Sequence, residues 1–159
     1  MAELAFVRPA RSEDRAGVEA LLAAAGLPLD GLADQFPAGF AVAEAGGGLA
    51  GAAGIERHGD DGLLRSVVVS PEWRGRGLGA RLVRDRLAWA AAQGLRTVYL
   101  LTTTAPAYFP RLGFRVAERA DVPTAVQASR EFAGVCPASA SLLAVRLAQT
   151  GAAVAGTEP

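Results

Sequence analysis

The stretch from Ser66 to Val83, SVVVSPEWRGRGLGARLV, gathers the residue types from which an anion site is made. Val67, Val68 and Val69 have the character of a buried strand and run into Pro71. Glycines follow at 75, 77 and 79, arginines stand at 74 and 76, and an apolar helical pattern begins at once. A helix that starts where a strand ends points its unused N–H groups, and the positive end of its dipole, at whatever lies beyond the strand. Glycine removes the Cβ atoms that would hold a ligand away, and it admits positive φ. With the charge of Arg74 and Arg76 added, the segment reads as a cradle for a pyrophosphate. Two common phosphate motifs do not fit it. A P-loop requires Lys-Ser/Thr after its last Gly, where this chain has Ala80 and Arg81, and the dinucleotide fingerprint Gly-x-Gly-x-x-Gly is replaced here by Gly-x-Gly-x-Gly.

The elements around the cradle follow from pattern. ELAFVRPA alternates and meets Pro9, a short strand; Ser12 is placed to cap a helix over EDRAGVEALLAAAG, with acids in its first turn and Val18, Leu21, Leu22 and Ala25 as its apolar stripe. LDGLADQF predicts a second, short helix. FAVAEAGGGLAGAAGIER predicts two strands joined by a Gly-rich turn, and GDDGLLRSVVV another turn and strand. Gly75 to Gln93 is expected to be helical, LRTVYLLTTT to be a strand, APAYFPRLGF a brief helix and RVAE a strand. Pro123 starts a helix running to about Phe132, and SASLLAVRL is a last strand through which a second copy could pair to make a homodimer. One domain over residues 1–147 with a mobile tail over 148–159 is the expected organisation: mixed α/β around a single sheet.

Composition narrows the function. At 159 residues and 51% hydrophobic content, the chain suits one domain with a real core. Its formal net charge is zero, so no global basic field recruits nucleic acid. All sixteen cationic side chains are Arg, and five of them lie between Arg74 and Arg86. One Cys and one His leave no material for a disulfide, a thiolate zinc site or a histidine metal site. No apolar run approaches the ~18–20 residues that span a membrane. The first residues, MAELAFVRPARSED, have no basic start followed by an apolar stretch, and the expected setting is cytoplasmic.

Arg74-x-x-Gly77-x-Gly79 resembles the acyl-CoA loop of the GNAT N-acetyltransferases, Gln/Arg-x-x-Gly-x-Gly/Ala. The resemblance covers nearly the whole chain. VRPARSEDRAGVEALL is similar to that family's first strand and helix, LLRSVVVSPEWRGRGLGARLV to its fourth strand and third helix, and GLRTVYLLTTTAPAYFPRLGFRVAE to its fifth strand, fourth helix and sixth strand. It implies a mostly antiparallel twisted sheet of six to seven strands, flanked by four to five helices and splayed between strands 4 and 5. It also implies acetyl-CoA as co-substrate and no metal. The pyrophosphate would rest on the amides of about Arg76 to Ala80, Leu78 and Gly79 among them. The main chain of Val67, Val68 and Val69 would pair with the pantetheine arm and hold the thioester carbonyl, and Thr103 would be a further contact. LLTTTAPAYFPRLGF and REFAGVCPASASLL look like the arsenic-resistance-associated and short N-acetylglutamate synthase-like members, which implies a small amino-acid-like acceptor.

Acetylating an amine requires its neutral form, so a base or a water relay must take a proton. Glu56, at the end of a strand, is the leading candidate base; the alternative is a solvated acid beside Arg57. Asp60 and Asp61 read as turn residues and His58 as a lone histidine in a polar turn. On a regular strand Arg65 shares a face with Val67 and Val69, where its partner is either a substrate carboxylate or a structural acid such as Glu131. Arg130 and Glu131 belong either to a helix surface or to the acceptor cleft. The family's general acid is a Tyr in a Phe-Tyr order. Here the order is Tyr108-Phe109, one residue on a helix is ~100° of rotation, and Phe109 cannot donate a proton. Three readings remain open: Tyr108 reaches the sulfur through a register shift, a Thr of the TTT run or water serves instead, or the thiolate leaves unaided. Cys136 reads as a small packed residue. The reading that results is direct transfer of an acetyl group to a small amino acid or glutamate-like compound, arsenical or phosphinic ones included. The alternatives are an aminoglycoside or other antibiotic amine as acceptor, which makes a resistance enzyme, and a non-catalytic acyl-CoA-binding domain.

Overall fold

The computed structural model describes residues 4–102, 108–129 and 140–148. Seven strands form one sheet: β1 Phe6–Pro9, β2 Phe40–Ala45, β3 Gly48–His58, β4 Asp61–Val69, β5 Thr97–Thr102, β6 Arg115–Val116 and β7 Ser141–Arg146, in the order β1-β2-β3-β4-β5-β7-β6. Four α-helices accompany them among the described residues: α1 Arg15–Ala24, α2 Leu32–Gln35, α3 Leu78–Ala92 and α4 Thr124–Gln127. β4 and β5 are parallel and the other registered pairs antiparallel. The parallel register is short, joining Asp61–Leu63 to Thr97–Tyr99. β7 pairs on both sides, with β5 and with β6, so among the described residues the end of the sheet on that side is β6. This is the fold class that the sequence predicts.

The chain divides into two compact units, one formed by Met1–Ile55 and Arg65–Arg86, the other by Glu56–Leu64 and Leu87–Pro159. In the first unit the sheet is covered on both faces. Val18 and Leu22 of α1 and Leu32 of α2 pack with Phe40, Val42, Ala52 and Val68. Leu78 and Leu82 of α3 pack with Ala5, Ala43, Ala50 and Ala53, joined by Val67, Val69 and Trp73. Two covered faces explain why β2 and β3 read as almost continuous apolar runs of small residues. The small residues also let neighbouring groups approach: a Cβ at Gly54 would fall within the ring of Phe40, its direct cross-strand partner. In the second unit Leu63, Tyr99, Val122, Val126 and Leu142 form the core.

The first helix begins differently from its expectation. Ser12 does not cap it. Arg11 is the extended residue before a 3-10 turn over Ser12–Asp14, and the Arg11 N–H donates to Asp14 Oδ2 at 2.7 Å. Asp14 also receives both Arg8 Nη atoms, at 2.8 and 3.0 Å, while Arg8 Nε donates to Glu44 at 2.8 Å. A charged three-way contact between β1, β2 and this turn supersedes the weaker hydroxyl cap. The helix expected from Pro123 to Phe132 ends at Gln127 within the described residues. APAYFPRLGF contributes a 3-10 helix, Phe109–Leu112, closed by the left-handed Gly113.

Candidate functional site

β4 does not run straight into the cradle. Ser66, inside the strand, has φ of 58°, the left-handed region that a residue with a Cβ rarely adopts. Regular alternation does not carry across such a residue. Arg65 therefore cannot be assigned to the face of Val67 and Val69 by counting in twos. Arg65 is buried, and its Nε donates to Ser66 Oγ at 3.0 Å. Beyond Ser66 the valines alternate again: Val68 faces the α1–α2 core, while Val67 and Val69 face α3.

After Val69 the chain turns through a 3-10 segment, Pro71–Trp73, tied back by Ser70 N–H to Ala50 O at 2.8 Å and by Arg74 Nε to Val69 O at 3.1 Å. Gly75 and Gly77 then take φ of 79° and 80°, and an ideal Cβ at either would meet nothing within 4 Å. Positive φ at these two positions delays the helix, which begins at Leu78 and not at Gly75 as expected. Gly79 lies in its first turn, so left-handed freedom is needed at 75 and 77 and not at 79. Arg81 N–H donates to Gly77 O at 3.1 Å, so the amides of Leu78, Gly79 and Ala80 have no acceptor within the helix. The Arg76 guanidinium lies 4.6 Å over the Trp73 ring, which holds an exposed cation beside the loop. Open space above two left-handed glycines, helix-terminal amides and two exposed arginines suit a diphosphate. The residues present thus fit the CoA end of acetyl-CoA.

In the second unit Glu56 is 2% exposed, near the end of β3. The reading of a solvated acid at a strand end is overturned, because the strand continues two residues further and takes the carboxylate inside. His58 is not a lone turn residue either: it closes β3, its side chain is 18% exposed, and its Nε2 stands 3.0 Å from Glu56 Oε1. Residues i and i+2 of an extended strand share a face, so the spacing Glu-x-His was the signal that could have found this pair. Arg57 between them is exposed. Asp60 is in the turn as expected, and its carbonyl accepts from Arg96 N–H at 2.7 Å. Asp61 begins β4, and burial chiefly pushes its carboxyl above the usual value, against a hydrogen bond from the Thr97 backbone.

Tyr108 immediately precedes the 3-10 helix, so the α-helical rotation assumed for it does not apply. It is half-buried, with its ring edge-on to Phe109 at 5.2 Å. Phe109 is buried and packs edge-on to Phe114 at 5.8 Å, which makes it a core residue. Thr103, Arg130, Glu131 and Cys136 lie outside the described residues. The structure thus gathers Arg65 to Ala80 in one unit, and Glu56, His58 and Tyr108 in the other. Among the described residues no three His, Cys, Asp or Glu side chains gather as a metal site would require, and no helix is long and apolar enough to cross a membrane.

Comparison with known proteins adds to this geometry. Residues 37–116 match the family described as Acetyltransferase (GNAT) domain. The amino-acid acetyltransferase of Ralstonia nicotianae is 30% identical over 131 residues, which are 76% of this chain and 29% of that protein. The chain thus spans about three-tenths of the length of that curated relative. Among solved structures, Rv2747 from Mycobacterium tuberculosis, in complex with CoA and NLQ, is 26% identical with a TM-score of 0.76, covering 90% of this chain and 99% of that one. N-acetylglutamate synthase from Neisseria gonorrhoeae, complexed with coenzyme A and N-acetyl-glutamate, shares the fold at 24% identity and a TM-score of 0.78, covering 91% of this chain and 35% of that one.

Proposed function

Since this chain belongs to the GNAT acetyltransferase family, we propose that it is an acetyl-CoA-dependent N-acetyltransferase whose acceptor is the α-amine of a small amino acid of the glutamate class. Support for the acceptor comes from the relatives, which are an amino-acid acetyltransferase and an N-acetylglutamate synthase. Support for the use of acetyl-CoA comes from one observation above all, the loop in which Gly75 and Gly77 open the backbone before the amides of Leu78, Gly79 and Ala80.

When bound, acetyl-CoA supplies the acetyl group as a thioester. In this reading the amides of residues 76–80 hold its diphosphate, with Arg74 and Arg76 adding charge. The main chain of Val67 to Val69 aligns the arm that follows. Glu56 takes the proton that the ammonium must lose before it can attack. Arg65 is assigned the acceptor's side-chain carboxylate, for which a guanidinium offers two parallel donors. Tyr108 is not assigned the role of acid. A thiol of pKa near ~8.5 leaves as thiolate without one. Transfer is direct, in a complex holding both substrates.

The test is thiol release from acetyl-CoA across a panel of L-glutamate, L-glutamine, neutral amino acids and aminoglycosides, with the wild type and Arg65→Ala. The expected result is the highest kcat/KM for acidic or amide amino acids. Arg65→Ala should raise KM for L-glutamate and leave that for acetyl-CoA little changed. Turnover confined to aminoglycosides, or none with any amine, would refute the assignment.

A further inference from the structure

We infer that His58 is a positioning residue for the acetyl transfer: its Nε2–H holds the Glu56 carboxylate by Oε1 and so fixes the orientation in which that carboxylate takes the proton from the acceptor amine. The inference rests on the reading of Glu56 as the base, and it adds a residue which that reading does not use.

A carboxylate removed from water needs hydrogen bonds to remain ionised, and an ionised carboxylate is what a base requires. Glu56 is 2% exposed, and His58 Nε2 is 3.0 Å from its Oε1. With Glu56 ionised, as a base requires, its carboxylate only accepts, so the inference puts the hydrogen between the two atoms on Nε2 and thereby specifies the imidazole tautomer. A neutral ring is enough, because a donor is required and not a charge. The contact also selects the rotamer of Glu56. Both side chains project from one face of β3, which ends at His58, and the next residue, Gly59, has φ of 67°. The following residue, Asp60, is tied to Arg96 at 2.7 Å. The ring thus stands on a strand end that is itself anchored. Nothing else in the described chain repeats the arrangement, since His58 is the only histidine.

Two measurements test this. The first is the imidazole nitrogen spectrum, in which a single histidine gives unambiguous signals. It should show hydrogen on Nε2 in the resting protein; hydrogen on Nδ1 with none on Nε2 overturns the inference. The second is kinetic, with L-glutamate and acetyl-CoA. His58→Ala should lower kcat by about 10- to 100-fold, as loss of a supporting contact to a reacting group does, with KM for acetyl-CoA unchanged. His58→Gln, whose amide N–H also donates, should recover most of that loss. In a Glu56→Gln background His58→Ala should cost nothing more, since it acts only through Glu56. Losses that multiply in the double variant overturn the inference, as does His58→Ala with the wild-type rate beside a slow Glu56→Gln. Glu56→Gln at the wild-type rate refutes the base reading itself.

Discussion

Replacing Gly77 with glutamate should separate the loop's part in folding from its part in binding. The residue has φ of 80°, so any side chain there incurs the left-handed penalty of about 1–2 kcal/mol. No neighbour lies within 4 Å of its ideal Cβ, so steric overlap adds nothing. For a domain of this length the strain corresponds to a fall in Tm of roughly 2–8 °C. Binding should suffer far more. A carboxylate ~4 Å from a diphosphate, at an effective dielectric constant of ~20, costs about 4 kcal/mol, or roughly a thousandfold in Kd. Gly77→Ala carries the same backbone strain without the charge, and should lose about tenfold or less. Calorimetric titration with acetyl-CoA, beside thermal melts of the wild type and both variants, reads the two effects separately. If the glutamate and alanine variants bind within about threefold of each other, no anion lies over Gly77. If either variant melts more than about 15 °C below wild type, the space over Gly77 is not open as described.

Other expectations follow from particular contacts. Arg8 holds the Asp14 carboxyl below its ordinary value, so that contact stabilises the fold above about pH 4 and is lost as pH falls further. Asp14→Asn should cost about 2 kcal/mol at neutral pH in urea unfolding and flatten the acid limb of the stability profile; an unchanged acid limb would exclude the pair as its source. Gly54→Ala should destabilise by about 1–3 kcal/mol through collision with Phe40, and much of that should be recovered with Phe40→Leu; equal stability of Gly54→Ala and wild type would contradict the β2–β3 register. Tyr108→Phe should lower kcat by less than about tenfold, because Tyr108 is not needed as the acid; a loss of several hundredfold would restore it to that role.

The parts of this molecule written in residue type were legible before any coordinates. Gly46 and Gly47 could only turn a hairpin between two apolar runs, and Gly75 to Gly79 between Val69 and Leu82 could only be a strand–helix junction. What escaped was set by contacts distant in sequence or by one unusual dihedral. Asp14 was legible as an acid at a helix start, but its bonds to Arg8 on β1 depend on a sheet that brings Glu44 to the same guanidinium. The Glu56–His58 contact is hidden from a reading that ends the strand at Glu56: two more residues of β3 set the half-buried His58 beside the buried carboxylate and exclude the alternative of a solvated acid. The face of Arg65 does not follow from the sequence, because counting in twos assumes that every residue of a strand is extended, and Ser66 is not.

That one serine has an effect downstream. A strand that slips by a single residue presents its opposite face. The conformation of Ser66 therefore acts as a phase setting. It determines that Val68 turns to α1 and α2 while Val67 and Val69 turn to α3, and so the angle at which the chain is delivered to Gly75. Asn, Asp and Gly tolerate this conformation well; a β-branched residue does not, and would be pressed to restore the regular beat. Doing so would exchange the valines between the two cores and aim the loop elsewhere, with every glycine of the cradle still in place.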